Sequence, residues 1–189
     1  MTPSTKKNDH FALASLPARA IEAVFSRCVP QLDFDAGRPP RYLFASGRPN
    51  RLNPVGVRCL YASESDRVAD AEYAGGFDSR LASLQPKLTF SVRVRVANVL
   101  DLEAPGVVTA LRLGEEDLFG GWMLAKRPTR LQRLGAAIAS QARFAGIRYP
   151  SVAARALTPP GWNLVVYLDV LRAPDRLEVI GKPGRVLEV

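Results

Sequence analysis

The sequence predicts a compact single domain of the α+β class with a mixed β-sheet core. Three observations carry this expectation. The 189 residues fit one domain better than two. A run of strict apolar–polar alternation and a run of helical spacing occur in the same chain. Strands and helices then follow one another without the regular alternation that builds a parallel sheet. A chain of this length buries roughly 70% of its unfolded surface, enough for an ordinary core.

In chain order, residues 1–14 are expected to form a flexible polar leader and residues 15–189 the folded domain. Ser15-Leu-Pro-Ala predicts a helix start, with Ser15 as cap, Pro17 in the first turn and Leu16, Ala20, Ile21, Val24 and Phe25 on one face. Phe25 to Pro30 suits a short strand, and Asp33 to Pro54 reads as a long surface loop, a kind of segment that is usually functional. Val57 to Ala62 predicts a buried strand, followed by a helix carrying Val68, Ala69, Ala71 and Glu72. From Lys87 to Ala97 the alternation is unbroken, with Leu88, Phe90, Val92, Val94 and Val96 against Thr89, Ser91, Arg93 and Arg95. Pro105 to Glu116 suggests a short helix and turn. A longer helix begins at Pro128-Thr129, runs through Leu131, Leu134, Ala137, Ile138 and Ala142, and stops at Gly146. Ile147 to Val152, Leu164 to Leu171 and Leu177 to Ile180 read as strands.

Composition narrows the function. The net charge of +8 is mostly arginine, since lysine occurs only at positions 6, 7, 87, 126 and 182. A basic balance fits nucleic acid, an anionic surface, a pyrophosphate ligand or an acidic partner protein. The arginines are scattered, and no helix-turn-helix, zinc-finger or aromatic RNA-binding spacing accompanies them, so direct nucleic-acid binding is disfavoured. Cys28 and Cys59 stand in no motif, the first thirty residues carry no apolar signal region, and no run approaches about 18 apolar residues. A reducing cytoplasm without membrane insertion is the expectation. His10 is the single histidine, which excludes a histidine triad or a multi-histidine metal site. Asp33 with Asp35, or Glu115, Glu116 and Asp117, lack the further ligands a cation needs. Dinucleotide fingerprints, phosphate loops and nucleophile elbows are absent.

What remains is a set of polar residues where a plain structural domain has no need of them. Arg51-Leu-Asn53-Pro-x-Gly56 leads into the strand that bears Tyr61, and eleven residues later comes Glu72 on an apolar helix. Glutamate is rarely buried unless paired, so this helix has to fold back over the strand to bring Arg51, Tyr61 and Glu72 into one cleft. On these residues alone an Arg–Glu surface pair beside a core-edge tyrosine is the simpler reading. A second cluster follows in Tyr149-Pro-Ser151-Val and Gly161-Trp-Asn163-Leu, where a turn serine and a strand-start asparagine are the ordinary alternatives.

Taken together and in order, Arg51-Leu-Asn-Pro-x-Gly, Leu60-Tyr61-Ala-Ser, Ala69-x-Ala-Glu72, Pro150-Ser151-Val and Asn163 resemble the RES family, named for its arginine, glutamate and serine. The likeness spans about residues 25 to 170. Two departures stand out. The family often shows Gly-Gly-Arg-Trp-Asn where this chain has Pro49-Asn-Arg-Leu-Asn53. An upstream family arginine matches Arg27 first, with Arg41 as competitor.

The resemblance implies a fold similar to ADP-ribosyltransferases and a toxin-like enzyme that cleaves the nicotinamide–ribose bond of NAD. It assigns catalytic roles to Arg51, Tyr61, Glu72 and Ser151 and substrate binding to Arg27, Asn53 and Asn163. NAD is then the substrate, with no cofactor and no metal. Arg27 and Arg51 would hold phosphate oxygens, as a planar guanidinium does well. Tyr61 would pack along the nicotinamide ribose, and Glu72 would stabilise the oxocarbenium-like charge. Nicotinamide leaves neutral from a cation, so such an enzyme needs no metal, histidine or strong acid. The implied partner is a cognate antitoxin of the Xre, helix-turn-helix type, and a homodimer is compatible with the sequence. The acceptor stays open between water and phosphate. A protein ADP-ribosyltransferase using the same site, or a non-catalytic nucleotide- or nucleic-acid-binding module, are the alternatives.

Overall fold

The structure is a computed structural model and describes residues 11–36, 41–75, 86–181 and 186–188. Among the described residues, seven strands form one mixed sheet: β1 Arg19–Pro30, β2 Cys59–Ser63, β3 Lys87–Asp101, β4 Gly146–Pro150, β5 Trp162–Tyr167, β6 Arg176–Val179 and β7 Val186–Glu188. Five α-helices accompany them among the same residues: α1 Gln31–Ala36, α2 Asp66–Gly75, α3 Val107–Ala110, α4 Glu115–Phe119 and α5 Arg130–Gln141. The α+β expectation therefore holds. Among the described residues no helix is long and apolar enough to cross a membrane.

The long antiparallel pair of β1 and β3 is the spine. Its antiparallel ladder runs from Ile21↔Val96 to Pro30↔Lys87, and the alternation of Val92, Val94 and Val96 is buried to the last atom. Alternation breaks at Ala97, whose N–H donates to Asp175 Oδ1 at 2.8 Å. Beyond this point β3 changes partner: residues 92–95 pair with β6, whereas Val99 to Asp101 pair in parallel with β4. β4 pairs with β5, β5 with β2, and β2 touches β1 at Ser26↔Ser63. The ladders β1–β3–β4–β5–β2 thus close into a ring, with β6 and β7 as an outward extension.

The helix expected from Ser15 to Phe25 is a correction. Leu13–Ser15 form one 3-10 turn, and the chain is a strand from Arg19. The buried pair Ile21 and Phe25 lies four residues apart, a spacing that serves both the helical and the strand period. The long partner β3 decides between them, and Pro17 holds the preceding residue extended. Of the expected leader, residues 1–10 lie outside the described residues, but Phe11 and Leu13 are 5% and 1% exposed in the core. The packed domain therefore includes residues of the expected leader.

Helix α5 begins as its sequence demands. Thr129 Oγ1 accepts from Gln132 N–H and the Gln132 side chain accepts from Thr129 N–H, a reciprocal cap. Leu131, Leu134 and Ile138 form its buried face. The helix ends at Ala142 in the left-handed region (φ 52°), not at Gly146. Gly146 instead opens β4, where a Cβ would lie 2.8 Å from the Val165 carbonyl.

On β4, Arg148 donates to Asp101 Oδ1 at 2.9 Å and stacks 4.1 Å over the Trp162 ring, while Arg19 donates to Asp101 Oδ2 at 2.7 Å. Burial opposes the Asp101 charge, but the bonds from Arg19, Arg148 and Glu103 N–H outweigh it and hold the carboxyl below its usual range.

Candidate active site

The ring is weakest where β1 meets β2. Continuing the antiparallel register beyond Ser26↔Ser63 would pair Arg27 with Ala62 and Cys28 with Tyr61, yet the two strands share one pair only. Where the ladder stops, the Arg27 guanidinium donates to the Tyr61 carbonyl at 2.9 Å and to the Phe44 carbonyl at 3.1 Å. Two cavities open at this divergence, of about 430 and 180 Å³. They share Arg27, Cys28, Asn50 and Tyr61 as a common wall.

The smaller cavity is floored by a polar row. Register places Ser26, Ser63, Asn163 and Tyr149 side by side across β1, β2, β5 and β4. All four are buried, at 7%, 5%, 3% and 6% exposure, so each polar end needs a partner. Helix α2 lies over the row and supplies two. Asp66 in its first turn accepts from Ser26 Oγ. Glu72, two turns on and half-buried, accepts at Oε1 from Asn163 Nδ2 at 2.8 Å and from Ser151 Oγ at 2.6 Å. Asn163 is oriented in turn by Ser63 Oγ, which donates to its Oδ1 at 2.7 Å. Both bonds to Glu72 fall on one oxygen, and Glu72 lines the cavity.

The larger cavity is shaped by the turn around residues 48–57. Asn53 is 1% exposed, and its Nδ2 donates to the carbonyls of Arg48, Pro54 and Val57. Its Oδ1 accepts from Tyr61 O–H at 2.7 Å, and that oxygen accepts from Leu52 N–H at 3.1 Å. The Tyr61 hydroxyl is thus engaged by the loop, and Tyr61 forms part of both cavity walls. Gly135 lets α5 press against this turn: a Cβ there would sit 1.8 Å from the Leu52 carbonyl.

Of the sequence-derived candidates, Arg27, Tyr61, Glu72 and Asn163 line the smaller cavity and Asn53 the larger. Arg51 and Ser151 are not among the residues that line either cavity. The Arg51 guanidinium donates to the carbonyls of Leu118 and Gly120 at 3.2 and 3.0 Å, tying the turn to the end of α4. Ser151 is 1% exposed, accepts from Ala154 N–H and donates to Glu72. The Arg41 side chain lies outside the described residues.

The electrostatics favour one fixed cation and one carboxylate. Burial lowers the Arg27 guanidinium to about 10, so it stays charged at neutral pH. Its Nε is buried without a hydrogen-bond partner among the described residues, which is costly unless a ligand compensates. Burial and then the Glu72 charge push the Tyr149 phenol up, against smaller opposing effects of Arg51 and an Asn163 hydrogen bond. Arg51 and Glu72 thus bear on the same tyrosine. Burial also raises the Cys28 thiol, against the Thr89 hydrogen bond and Lys87, which disfavours a nucleophilic thiolate. No three His, Cys, Asp or Glu side chains converge as a metal site among the described residues.

The sequence reading missed Ser63, Tyr149 and Asn50. Ser63 carries no assigned role in the sequence. Period-two spacing from Tyr61 was the available signal for it, and Tyr149 stands two residues before Ser151.

A family model described as RES domain matches residues 24–186. The search of curated proteins found no match. Among solved structures, a chain of the crystal structure of the M. tuberculosis MbcT–MbcA toxin–antitoxin complex is similar in fold. Its TM-score is 0.58 at 17% identity, covering 91% of this chain and 84% of that one.

Proposed function

The chain belongs to the RES domain family, and from that premise we propose that it breaks the nicotinamide–ribose bond of NAD. The observation that carries this reading is Glu72, held at Oε1 by Ser151 and Asn163 on a cavity wall that shares Arg27 and Tyr61 with a larger cavity. A dinucleotide has the matching two-part shape. The smaller cavity would take the nicotinamide ribose and the larger, lined by Phe34 and Phe44, the ADP half. Arg27 stands between them, where the pyrophosphate would pass.

In the reaction, the bond between the ribose anomeric carbon and the nicotinamide nitrogen breaks. Its electron pair leaves with nicotinamide, which departs neutral, and positive charge develops on the ribose. Glu72 Oε2, which neither hydrogen bond engages, would face that charge. A carboxylate fixed beforehand helps most when charge is greatest. An oxygen of water or phosphate then forms the new bond to the anomeric carbon and releases its proton to solvent.

The similar solved structure is of a toxin–antitoxin complex, which supports a toxin role with a cognate antitoxin as partner. The resemblance suggests an Xre, helix-turn-helix antitoxin, and a site of action in the cytoplasm. The deciding experiment incubates purified protein with NAD, with and without inorganic phosphate, and separates the products. Free nicotinamide with ADP-ribose or its phosphate ester is expected. Intact NAD under both conditions overturns the reading, and ADP-ribose bound to protein would reassign the acceptor.

A further inference from the structure

The charge of this chain is unevenly distributed. Residues 36–63 contain five arginines and no acid, and residues 118–168 contain seven Lys or Arg and no acid. The fold brings these two acid-free segments together. The turn at Pro49, Pro54 and Val55 faces the loop Trp122–Pro128 across a groove of about 200 Å³. Apolar side chains open to solvent line it: Val55 is 77% exposed and Met123 64%. Lys126 and Arg127 are exposed beside them.

Apolar side chains grouped at a groove and rimmed by charge mark interaction surfaces. The chemistry of the occupant follows from what the groove offers. A nucleic-acid backbone would satisfy Lys126 and Arg127, and one base could stack on Trp122, but Val55 and Met123 offer further bases no aromatic face and would stay uncovered. A purely apolar partner would leave the cations without counter-charge. We propose that this groove docks a segment of a partner protein that presents apolar side chains to Val55 and Met123 and carboxylates to Lys126 and Arg127. The inference does not rest on the reaction proposed above.

Its position gives docking a route to the cavities. Pro49 lines both the groove and the larger cavity. Gln132, on the groove wall, donates to the Asn50 carbonyl at 2.9 Å, and Asn50 lines both cavities. A segment seated outside would press on the back of the same turn.

The test selects a displayed library of random peptides on the full-length protein. Enriched peptides are then measured by fluorescence polarisation against the wild type, Met123→Ser and Arg127→Glu. Both substituted side chains are exposed, and thermal melts check that the variants fold. The expected result is enrichment of Asp and Glu interleaved with large apolar residues, with affinity reduced at least about tenfold by each substitution and weakened by salt. Absence of enrichment, enriched peptides without acidic residues, or affinities unchanged in both variants would overturn the proposal. So would a single-stranded oligonucleotide that binds the wild type, fails on Arg127→Glu and displaces every selected peptide, because it assigns the surface to nucleic acid.

Discussion

Ser63 and Asn163 are register partners across β2 and β5, and the Ser63 hydroxyl fixes which end of the Asn163 amide meets Glu72. Reversing the amide would set its oxygen against a carboxylate oxygen. The first prediction follows. Ser63→Ala frees the amide to turn, and kcat for NAD loss should fall several-fold, corresponding to about 1 kcal/mol, with KM nearly unchanged. An unaltered kcat in steady-state kinetics would show that the hydroxyl has no positioning role.

Glu72→Gln keeps the size of the side chain and an oxygen that can accept from Ser151 and Asn163. The variant should fold normally, while nicotinamide release falls by about a hundredfold or more, as for loss of a fixed charge-stabilising group. Full activity from a well-folded Glu72→Gln protein contradicts the assignment.

The two arginines should separate. Arg27→Ala removes the cation on the shared cavity wall and should raise KM for NAD at least about tenfold. Arg51→Ala loses two bonds to backbone carbonyls, so its main effect should be a lower melting temperature. Parallel calorimetry and kinetics on both variants test this, and the reverse pattern would return Arg51 to the substrate.

Asp101 gives a pH signature. Its folded pKa lies below the unfolded value, so its stabilisation is complete above the unfolded pKa of about 3.9 and is lost as pH falls through the folded value. Asp101→Asn should be destabilised by about 3 kcal/mol near neutrality, leaving Arg148 short of its partner. The gap to wild type should shrink below about pH 4. Denaturant melts across this range measure it, and a gap independent of pH would refute the linkage.

Gly135→Ala inserts a methyl where the Leu52 carbonyl and Tyr167 hydroxyl already sit. It should cost about 1–3 kcal/mol and reduce NAD turnover by shifting the turn at Asn50–Asn53. A stable, fully active variant would mean that this close approach is not required.

Much of the fold was legible because β3 alternates cleanly and α5 carries a cap and an apolar face. What failed did so for identifiable reasons. The Ile21 and Phe25 spacing fits two periods, and only the distant partner strand chooses between them. Strand β7 is three residues long, too short to show a pattern. In the candidate site, Glu72 was legible as a carboxylate on an apolar helix. The contacts of Arg51 were not legible, because nothing local announces that its guanidinium is met by carbonyls 67 and 69 residues away. Ser63 escaped because its importance lies in lateral registry, which a linear sequence does not display.

The meeting of β1 and β2 at one residue pair amounts to a zip left undone. Backbone groups that would bond each other along Arg27–Pro30 and Cys59–Ala62 are instead parted, forgoing roughly 1 kcal/mol for each bond not formed. The hollow therefore belongs to the weave of the strands rather than to any one side chain. Substitutions lining it can retune which molecule enters, but only a change of strand registry would seal it.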